Sequence, residues 1–202
     1  MPEGLEVYLL GRLLQRAGLA PRTHGKHLFL EGEDWTFGLS GRVAFDGTTL
    51  TKVNAGRVFG SVQPETPLDL GVDFATGTQE QLQAVVSNKF MGARKQLGSL
   101  LLDQSLIAGI GVAWGSEILA ACGGLRPDVS ANAQDLRRLA TAMVDVRTKA
   151  LAMYGEDHVR DMDMVTCQEA VNGWFRNLYD ARHMAVYGKG TPCMTGGRTW
   201  WL

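Results

Sequence analysis

The period of the hydrophobic residues changes along the chain, and this change limits the folds that it can adopt. Between residues 27 and 62 the apolar residues fall in short runs separated by Gly, Asn and Asp46-Gly47, a pattern typical of short antiparallel strands and hairpin turns. Farther along, the apolar residues recur every three to four positions, as expected for amphipathic helices. The predicted helices of this second part cover residues 79–86, 99–103, 115–121 and 133–154.

The two ends of the chain and the stretch near its first third complete the predicted architecture. Residues 3–17 have the spacing of an amphipathic helix, residues 64–71 contain the prolines of a linker, and residues 189–197 form a turn between two extended segments, 184–188 and 198–202. We therefore expect an α+β protein with an N-terminal helix and antiparallel β-sandwich, a helical domain and a final hairpin. The predicted boundaries are 1–75, 76–175 and 176–202.

Cysteine usage and hydropathy exclude several classes of protein. Cys122, Cys167 and Cys193 are far apart and include no CxxC pair, so they predict neither a disulfide framework nor a zinc site, and we expect no metal or other cofactor. No segment has the roughly 18 apolar residues of a membrane span, and the first residues lack the pattern of a signal peptide. These features predict a soluble intracellular protein.

The charges are segregated along the chain although their sum is only -1. Residues 12–26 and 89–95 carry basic side chains without acids, whereas acids gather in residues 156–169. Such segregation can give a nearly neutral protein one positive face for nucleic acid. The alternative is that each cluster is a solvated face.

The N-terminus carries an unusual candidate nucleophile. Removal of Met1 before the small residue Pro2 would expose a secondary amine, and α-amino groups have pKa values of about 7.7–8, far below that of a lysine side chain. Attack of this amine on an aldehydic carbon gives an iminium, with Glu3 as general acid or base and Lys26 as proton donor or cation. The alternative is an ordinary helix start, at which Glu3 and Glu6 are favoured by the helix dipole.

Four segments, in matching order and approximate spacing, resemble the formamidopyrimidine-DNA glycosylase and endonuclease VIII family. They are residues 1–7, with Leu5 where proline is usual; residues 25–30 with 38–41; residues 100–127, similar to the helix-two-turn-helix element; and residues 186–201, similar to the terminal finger hairpin. The resemblance implies a bifunctional glycosylase and abasic-site lyase of base excision repair, acting by β,δ-elimination through a Schiff base on Pro2. It also places Glu3 and Lys26 among the catalytic residues, and Glu6 and Glu117 near them; for Glu117 a solvated helix carboxylate is the alternative.

The resemblance further implies that the enzyme flips the damaged nucleotide out of the helix and fills the gap. Leu39, Arg57 and Phe59 are the candidates for this role, with Arg57 meeting the orphaned base and Phe59 wedged into the stack. For Leu39 and Phe59 the alternative is a place in the core of the sandwich.

Backbone amides and one arginine are the candidates for contacts with phosphates. Gly109 and Gly111 permit the close approach of a phosphate to the main chain, although an ordinary glycine-containing helical turn has the same sequence. The finger retains Cys193 alone of four zinc-binding cysteines, so it resembles the zincless finger of endonuclease VIII-like enzymes, with Arg198 contacting DNA. Trp200 is expected to pack the hairpin.

The chain also departs from the family pattern. Lys26 follows Pro2 sooner than usual, Val112 stands where the family usually has a phosphate-contacting asparagine, and Gly98 falls near the place of a usual lysine. Fewer phosphate contacts imply weaker DNA binding and a smaller salt dependence. We expect an active monomer that acts on oxidised pyrimidines and abasic sites in double-stranded DNA, with single-stranded DNA as a further partner, and residues 155–175 as an altered recognition loop.

Two other functions are compatible with parts of the sequence. A non-catalytic protein of the same fold would recognise bent or damaged DNA without cleaving it. A tautomerase-like enzyme would use Pro2 as a general base on a small keto acid, which leaves the match of residues 100–127 unexplained.

Overall fold

The computed structural model describes residues 2–37, 43–52, 61–130, 132–178 and 184–202. The chain divides into two compact units, Met1–Leu68 with Leu151–Asp180, and Asp69–Ala150 with Ala181–Leu202. Both units contain helices and strands, which confirms the α+β class. The first boundary lies in the predicted linker, whereas residues 151–175 belong with the N-terminal unit and not with the helical domain to which the sequence assigned them.

The helices are α1 Gly4–Arg16, α2 Gln79–Val85, α3 Leu97–Leu101, α4 Val112–Ala121, α5 Ala133–Met153, α6 Glu156–Val159 and α7 Met164–Leu178, with a π-helical turn at Val86–Phe90. Five helices, α1 to α5, lie close to their predicted positions, whereas α6 and α7 were not predicted. The strands are β1 Arg22–His24, β2 His27–Leu30, β3 Glu33–Thr36, β4 Val43–Phe45, β5 Leu50–Lys52, β6 Val62–Pro64, β7 Val72–Asp73, β8 Ile107–Ala108, β9 Pro192–Thr195 and β10 Arg198–Trp201.

The N-terminal unit is built around a four-stranded antiparallel sheet in the order β1-β2-β3-β6. Leu28 and Leu30 lie on the same face of β2, as the period of two in a strand requires, and with Trp35 they form a buried core with α1. β4 and β5 form a separate hairpin. Its turn is the predicted Asp46-Gly47, where Gly47 has a φ of 99° and the Asp46 carboxylate accepts backbone N–H groups.

Helix α7 completes this core in place of further strands. Cys167, Val171 and Trp174 are spaced along one face of α7 and are buried against α1 and the β4–β5 hairpin. The Asn172 amide accepts from the backbone N–H of Phe45 at 2.8 Å and donates to its carbonyl at 3.0 Å, as a neighbouring strand would. The prediction that residues 155–175 form a recognition loop is therefore wrong, because an amphipathic helix must bury its apolar face.

The C-terminal unit is mainly helical. A short parallel pairing of β7 with β8 joins the start of this unit to the segment before α4. Arg147 of α5 donates to the carbonyls of Phe74 and Gly77 at 3.1 and 2.6 Å and so ties the long helix to the same region. In the part of the chain that the structure describes, no helix has the length and apolar character needed to cross a bilayer.

The chain ends in a hairpin, as predicted, but its first strand is not the predicted one: β9 lies within residues 189–197, which were expected to form the turn, and residues 184–188 are not a strand. In the antiparallel pairing of β9 with β10, Pro192 lies opposite Trp201 and Thr195 lies opposite Arg198. Gly196 and Gly197 supply the two positive φ angles of the tight turn. Residues 184–188 form bends and turns and not a strand. Their backbone N–H groups bind a side chain of α4, as described below.

Candidate functional site

The predicted nucleophile lies at the start of α1. Pro2 and Glu3 are buried, Glu3 being 7% exposed, and Glu3 is the N-cap of the helix. Glu3 and Glu6 form a capping box, in which the Glu3 backbone N–H donates to Glu6 Oε2 at 2.9 Å. This arrangement satisfies amides that the first turn of a helix leaves without partners.

Glu6 is fully buried, with an exposure of 0%. A buried carboxylate is costly unless hydrogen bonds replace its water. The hydroxyl of Tyr154, the residue after α5, donates to Glu6 Oε1 at 3.0 Å while Oε2 accepts from Glu3. The start of α1 is thus attached to a residue 148 positions away in sequence.

Lys26 lies in the turn between β1 and β2, immediately before His27, and is half-buried. Gly25 takes a φ of 57° in this turn, a conformation that glycine adopts without strain. His27 Nδ1 lies 2.9 Å from Oδ1 of the fully buried Asp34 on the neighbouring strand. The turn that carries Lys26 therefore leads directly into a strand whose first residue is held by a buried carboxylate.

The glycine loop predicted to approach phosphate precedes α4. Gly109 has a φ of 98°, and its N–H donates to Gln104 Oε1 at 2.9 Å. The Gln104 amide also donates to the carbonyls of Leu102 and Ile110, both at 3.0 Å, so one side chain holds the whole loop. Gly111 is the N-cap of α4, and Val112 is the first residue of the helix.

Glu117 lies on α4 and is only 8% exposed, so it is not a solvated carboxylate. Its Oε2 accepts from the backbone N–H of Ala185 at 2.9 Å, and its Oε1 accepts from Val186 and Tyr187 at 2.8 Å. Three successive N–H groups can converge on one carboxylate only if the backbone curls. This explains why residues 184–188 do not form the predicted strand.

Arg198 is the exposed first residue of β10, and Trp200 on the same strand is 1% exposed. A Cβ atom on Gly98 would lie 2.7 Å from Trp200 Cζ2, and one on Gly115 would lie 2.7 Å from Trp200 Cζ3. The indole therefore occupies the space beside α3 and α4 that side chains at these glycines would fill. A side chain at Gly98 would therefore require Trp200 to move.

Arg198 and Trp200 line a cleft of about 310 Å³ between α3 and the hairpin. Asp103 lies in the same cleft, and a hydrogen bond from the Ser105 hydroxyl lowers the pKa of its carboxyl below the usual value. Lys95 Nζ is 3.5 Å from Asp103. The cleft therefore contains both signs of charge, and Arg198 is its cation on the hairpin side.

Three of the predicted DNA-contact residues, Leu39, Arg57 and Phe59, lie outside the described residues. Among the residues that the structure does describe, no cluster of His, Cys, Asp and Glu side chains is suited to a metal ion. Pro2, Glu3, Glu6 and Lys26 all belong to the N-terminal unit. The C-terminal unit contains Gly109, Gly111, Glu117 and Arg198.

Sequence reasoning did not identify Tyr154, Gln104 or Asp34 as supports of these residues. Gln104 lies in residues 100–127, the segment that resembles the helix-two-turn-helix element, and this position could have marked it as a candidate. Asp34 was a second signal, since an acidic residue at a core-like strand position needs a partner. Tyr154 offered no local signal, because its partner is distant in sequence.

No protein-family model matches the chain. The formamidopyrimidine-DNA glycosylase of Moorella thermoacetica is 36% identical over 110 residues, which are 53% of this chain and 37% of that protein. The chain spans little more than a third of this curated relative.

Solved structures extend the likeness over nearly the whole chain. MutM (Fpg) from Thermus thermophilus has a TM-score of 0.67 at 19% identity, with 99% of this chain and 96% of that chain covered. An LlFpg mutant in complex with THF-containing DNA has a TM-score of 0.68 at 15% identity, with coverage of 99% and 97%. Fpg from Lactococcus lactis, bound non-covalently to DNA with an abasic site, has a TM-score of 0.50 at 13% identity, with coverage of 90% and 78%. The fold is that of Fpg proteins.

Proposed function

We propose that this chain, a member of the formamidopyrimidine-DNA glycosylase and endonuclease VIII family, is a DNA-repair glycosylase that also cleaves abasic sites. The observation that carries the proposal is the buried Pro2-Glu3 start of α1, held by the fully buried Glu6. The DNA in the solved complexes of the same fold contains THF or an abasic site, which supports damaged DNA as the partner.

In the proposed reaction the nitrogen of Pro2, freed by removal of Met1, attacks C1′ of the flipped nucleotide. The N–C1′ bond forms, the bond from C1′ to the damaged base breaks, and the base leaves with a proton. Opening of the sugar gives an iminium. Loss of the C2′ proton then expels the 3′ phosphate, a second elimination expels the 5′ phosphate, and water releases Pro2 from the sugar remnant.

The surroundings of Pro2 favour this role. The positive end of the α1 dipole disfavours a protonated amine at the helix start, so it favours the neutral nucleophile. Glu3 is the neighbouring carboxyl group and is the proposed proton donor to the sugar oxygen or the departing base. Lys26, in the turn before β2, is proposed to donate a proton or to stabilise a phosphate by its positive charge.

Contacts with undamaged parts of the duplex are assigned to the C-terminal unit. The exposed Arg198 is the proposed phosphate contact of the hairpin, and the N-terminal amides of α4 after Gly111 are the proposed main-chain contact. Leu39, Arg57 and Phe59 remain the proposed residues that fill the gap in the duplex.

Oxidised pyrimidines and abasic sites are the proposed substrates. The reasons are the resemblance of the hairpin to a zincless finger and the place of residues 164–178, which form a helix that buries Cys167 and Trp174 in the core. A segment used in this way is not available to enclose a purine lesion. The second candidate function is a damaged-DNA-binding protein without catalysis.

A borohydride experiment distinguishes the two functions. Wild-type chain incubated with abasic-site duplex and borohydride should give a covalent adduct, because the hydride reduces the iminium to a stable amine. Pro2→Gly should slow adduct formation with little change in DNA affinity. Glu3→Gln should still form the adduct but fail to excise an intact damaged base.

The matched control is Glu169→Gln, which removes an exposed carboxylate from the same unit. It should behave as wild type in both assays. Tight binding without an adduct would support the non-catalytic alternative. Wild-type excision rates in both Pro2→Gly and Glu3→Gln would contradict the proposed roles.

A further inference from the structure

We infer that Tyr154 is a positioning residue for the amine of Pro2, acting through Glu6 on the backbone of Glu3. The inference rests on the proposed function, because it assigns Tyr154 a part in the same reaction. Tyr154 does not lie in any segment that resembles the family, and its role comes from the geometry alone.

A hydrogen-bond path connects Tyr154 with the peptide bond between Pro2 and Glu3. Tyr154 Oη donates to Glu6 Oε1 at 3.0 Å, and Glu6 Oε2 accepts from the Glu3 N–H at 2.9 Å. That N–H belongs to the peptide bond that joins Pro2 to Glu3. Two hydrogen bonds therefore connect the phenol to the residue whose nitrogen is the proposed nucleophile.

The Glu6 carboxylate that connects the two hydrogen bonds is buried. Glu6 is 0% exposed, so water does not compete for its oxygens as it does at a surface. In such surroundings a hydrogen bond is stronger, and a lost donor is not replaced. Without the phenolic hydroxyl, Glu6 is expected to reorient, and the peptide of Glu3 would move with it.

The rate of the proposed reaction depends on the position of the Pro2 nitrogen relative to C1′. An amine that attacks C1′ must lie in line at about 3–3.5 Å from the carbon, and a displacement of about 1 Å can reduce a rate by roughly a hundredfold. Tyr154 is therefore expected to affect the rate of iminium formation at saturating DNA, and not the affinity for DNA.

The chain contains a closely matched control. The hydroxyl of Tyr8 on α1 donates to Glu156 Oε1 at 2.6 Å, so it connects the same helix to a residue two positions beyond Tyr154. Both phenols are half-buried. Tyr8→Phe removes a comparable bond without touching Glu6, whereas Tyr154→Phe removes the bond to Glu6.

The test compares wild type, Tyr8→Phe and Tyr154→Phe by single-turnover borohydride trapping on abasic-site duplex, by DNA affinity and by hydrogen exchange of the Glu3 amide. Tyr154→Phe should lower the trapping rate at saturating DNA roughly tenfold, leave the Kd unchanged and speed exchange at Glu3. Tyr8→Phe should change none of the three. Glu6→Gln and the Glu6→Gln/Tyr154→Phe pair complete a double-mutant cycle, in which non-additive effects on the rate are expected for groups that act through each other.

Equal trapping rates in Tyr154→Phe and Tyr8→Phe would overturn the inference while leaving the proposed function intact. Unchanged exchange at Glu3 in Tyr154→Phe would overturn it also, whatever the trapping rate. A wild-type chain that forms no adduct would overturn the proposed function, and with it the assignment of Tyr154 to the reaction. The exchange result would then show separately whether Tyr154 orders the helix start.

Discussion

Pro2 and Glu3 in the N-terminal unit and Arg198 in the C-terminal unit are supported in opposite ways. In the N-terminal unit Pro2 and Glu3 are themselves buried, and Glu3 is held by the carboxylate of Glu6. In the C-terminal unit the candidate Arg198 is exposed, and the buried residue is its neighbour Trp200. The difference suggests that the first unit is built to fix a reacting group and the second to present a charge on a firm support.

The largest expected effect is a loss of stability on truncation of Trp200, the buried neighbour of the exposed Arg198. Trp200→Ala would remove an indole that is 1% exposed and packs against the backbones of Gly98 and Gly115. Such a cavity costs about 3–5 kcal/mol in the free energy of unfolding. Denaturant unfolding followed by circular dichroism measures this loss.

Trp201→Ala is the control, because Trp201 is half-buried and meets Tyr187 edge-on, with ring centroids 6.5 Å apart. It should destabilise the chain much less. Similar losses for both substitutions would mean that Trp200 is not the anchor of the hairpin.

A smaller loss of stability is expected from the opposite change, a side chain added beside the indole. The Cβ of Gly98→Ala would lie 2.7 Å from Trp200 Cζ2 and 2.9 Å from Pro127 Cβ. Overpacking of this kind costs about 1–3 kcal/mol. In a Trp200→Leu background the same substitution should cost less, and an equal cost in the two backgrounds would contradict the packing of Gly98 against Trp200.

Arg198→Ala should weaken DNA binding without lowering stability, because the side chain is exposed. If Arg198 neutralises one phosphate, its loss should reduce the slope of log K against log salt by about 0.9. Fluorescence anisotropy over a series of salt concentrations measures the slope. Arg126→Ala is the control, since Arg126 is already paired with Asp128 at 2.6 and 2.9 Å. An equal change of slope in Arg126→Ala would show that Arg198 is not a specific contact.

The smallest effect concerns the three cysteines, which differ in burial. Cys122 and Cys167 are buried and Cys193 is half-buried. Burial raises the pKa of Cys122 to about 11. The folded state thus favours the neutral thiol, and this contribution to stability is present below the ordinary cysteine pKa and is lost as the pH rises through about 11.

At pH 8 we expect Ellman's reagent to label one thiol in the native chain and all three after unfolding. Cys193→Ser should remove the native reaction. Rapid native labelling of a second thiol would contradict the packing of Cys122 or Cys167.

The elements that the sequence predicted well are those with a local pattern. α1 follows from its amphipathic spacing, α5 from a long periodic segment and β10 from the extended segment 198–202, whereas β9 lies inside the stretch predicted as a turn. The bends at residues 184–188 could not be predicted in this way. Their conformation depends on Glu117, a carboxylate that is 68 to 70 positions away in sequence.

Helix α7 is an intermediate case. Cys167, Val171 and Trp174 have helical spacing, so its secondary structure was predictable from the sequence. Its partner was not, because the amide contacts of Asn172 with Phe45 join residues 127 positions apart. The same limit applies to the candidate site, where the motif identifies Pro2 and Glu3 but not the Tyr154–Glu6 contact that holds them.

The most direct test of the account is the position of the sugar remnant in the borohydride-trapped complex. Peptide mass spectrometry after digestion of the DNA should find the added mass on the nitrogen of Pro2 at a new N-terminus, with Met1 absent. The added mass on Lys26, or a full rate of incision by a chain that retains Met1, would contradict the account.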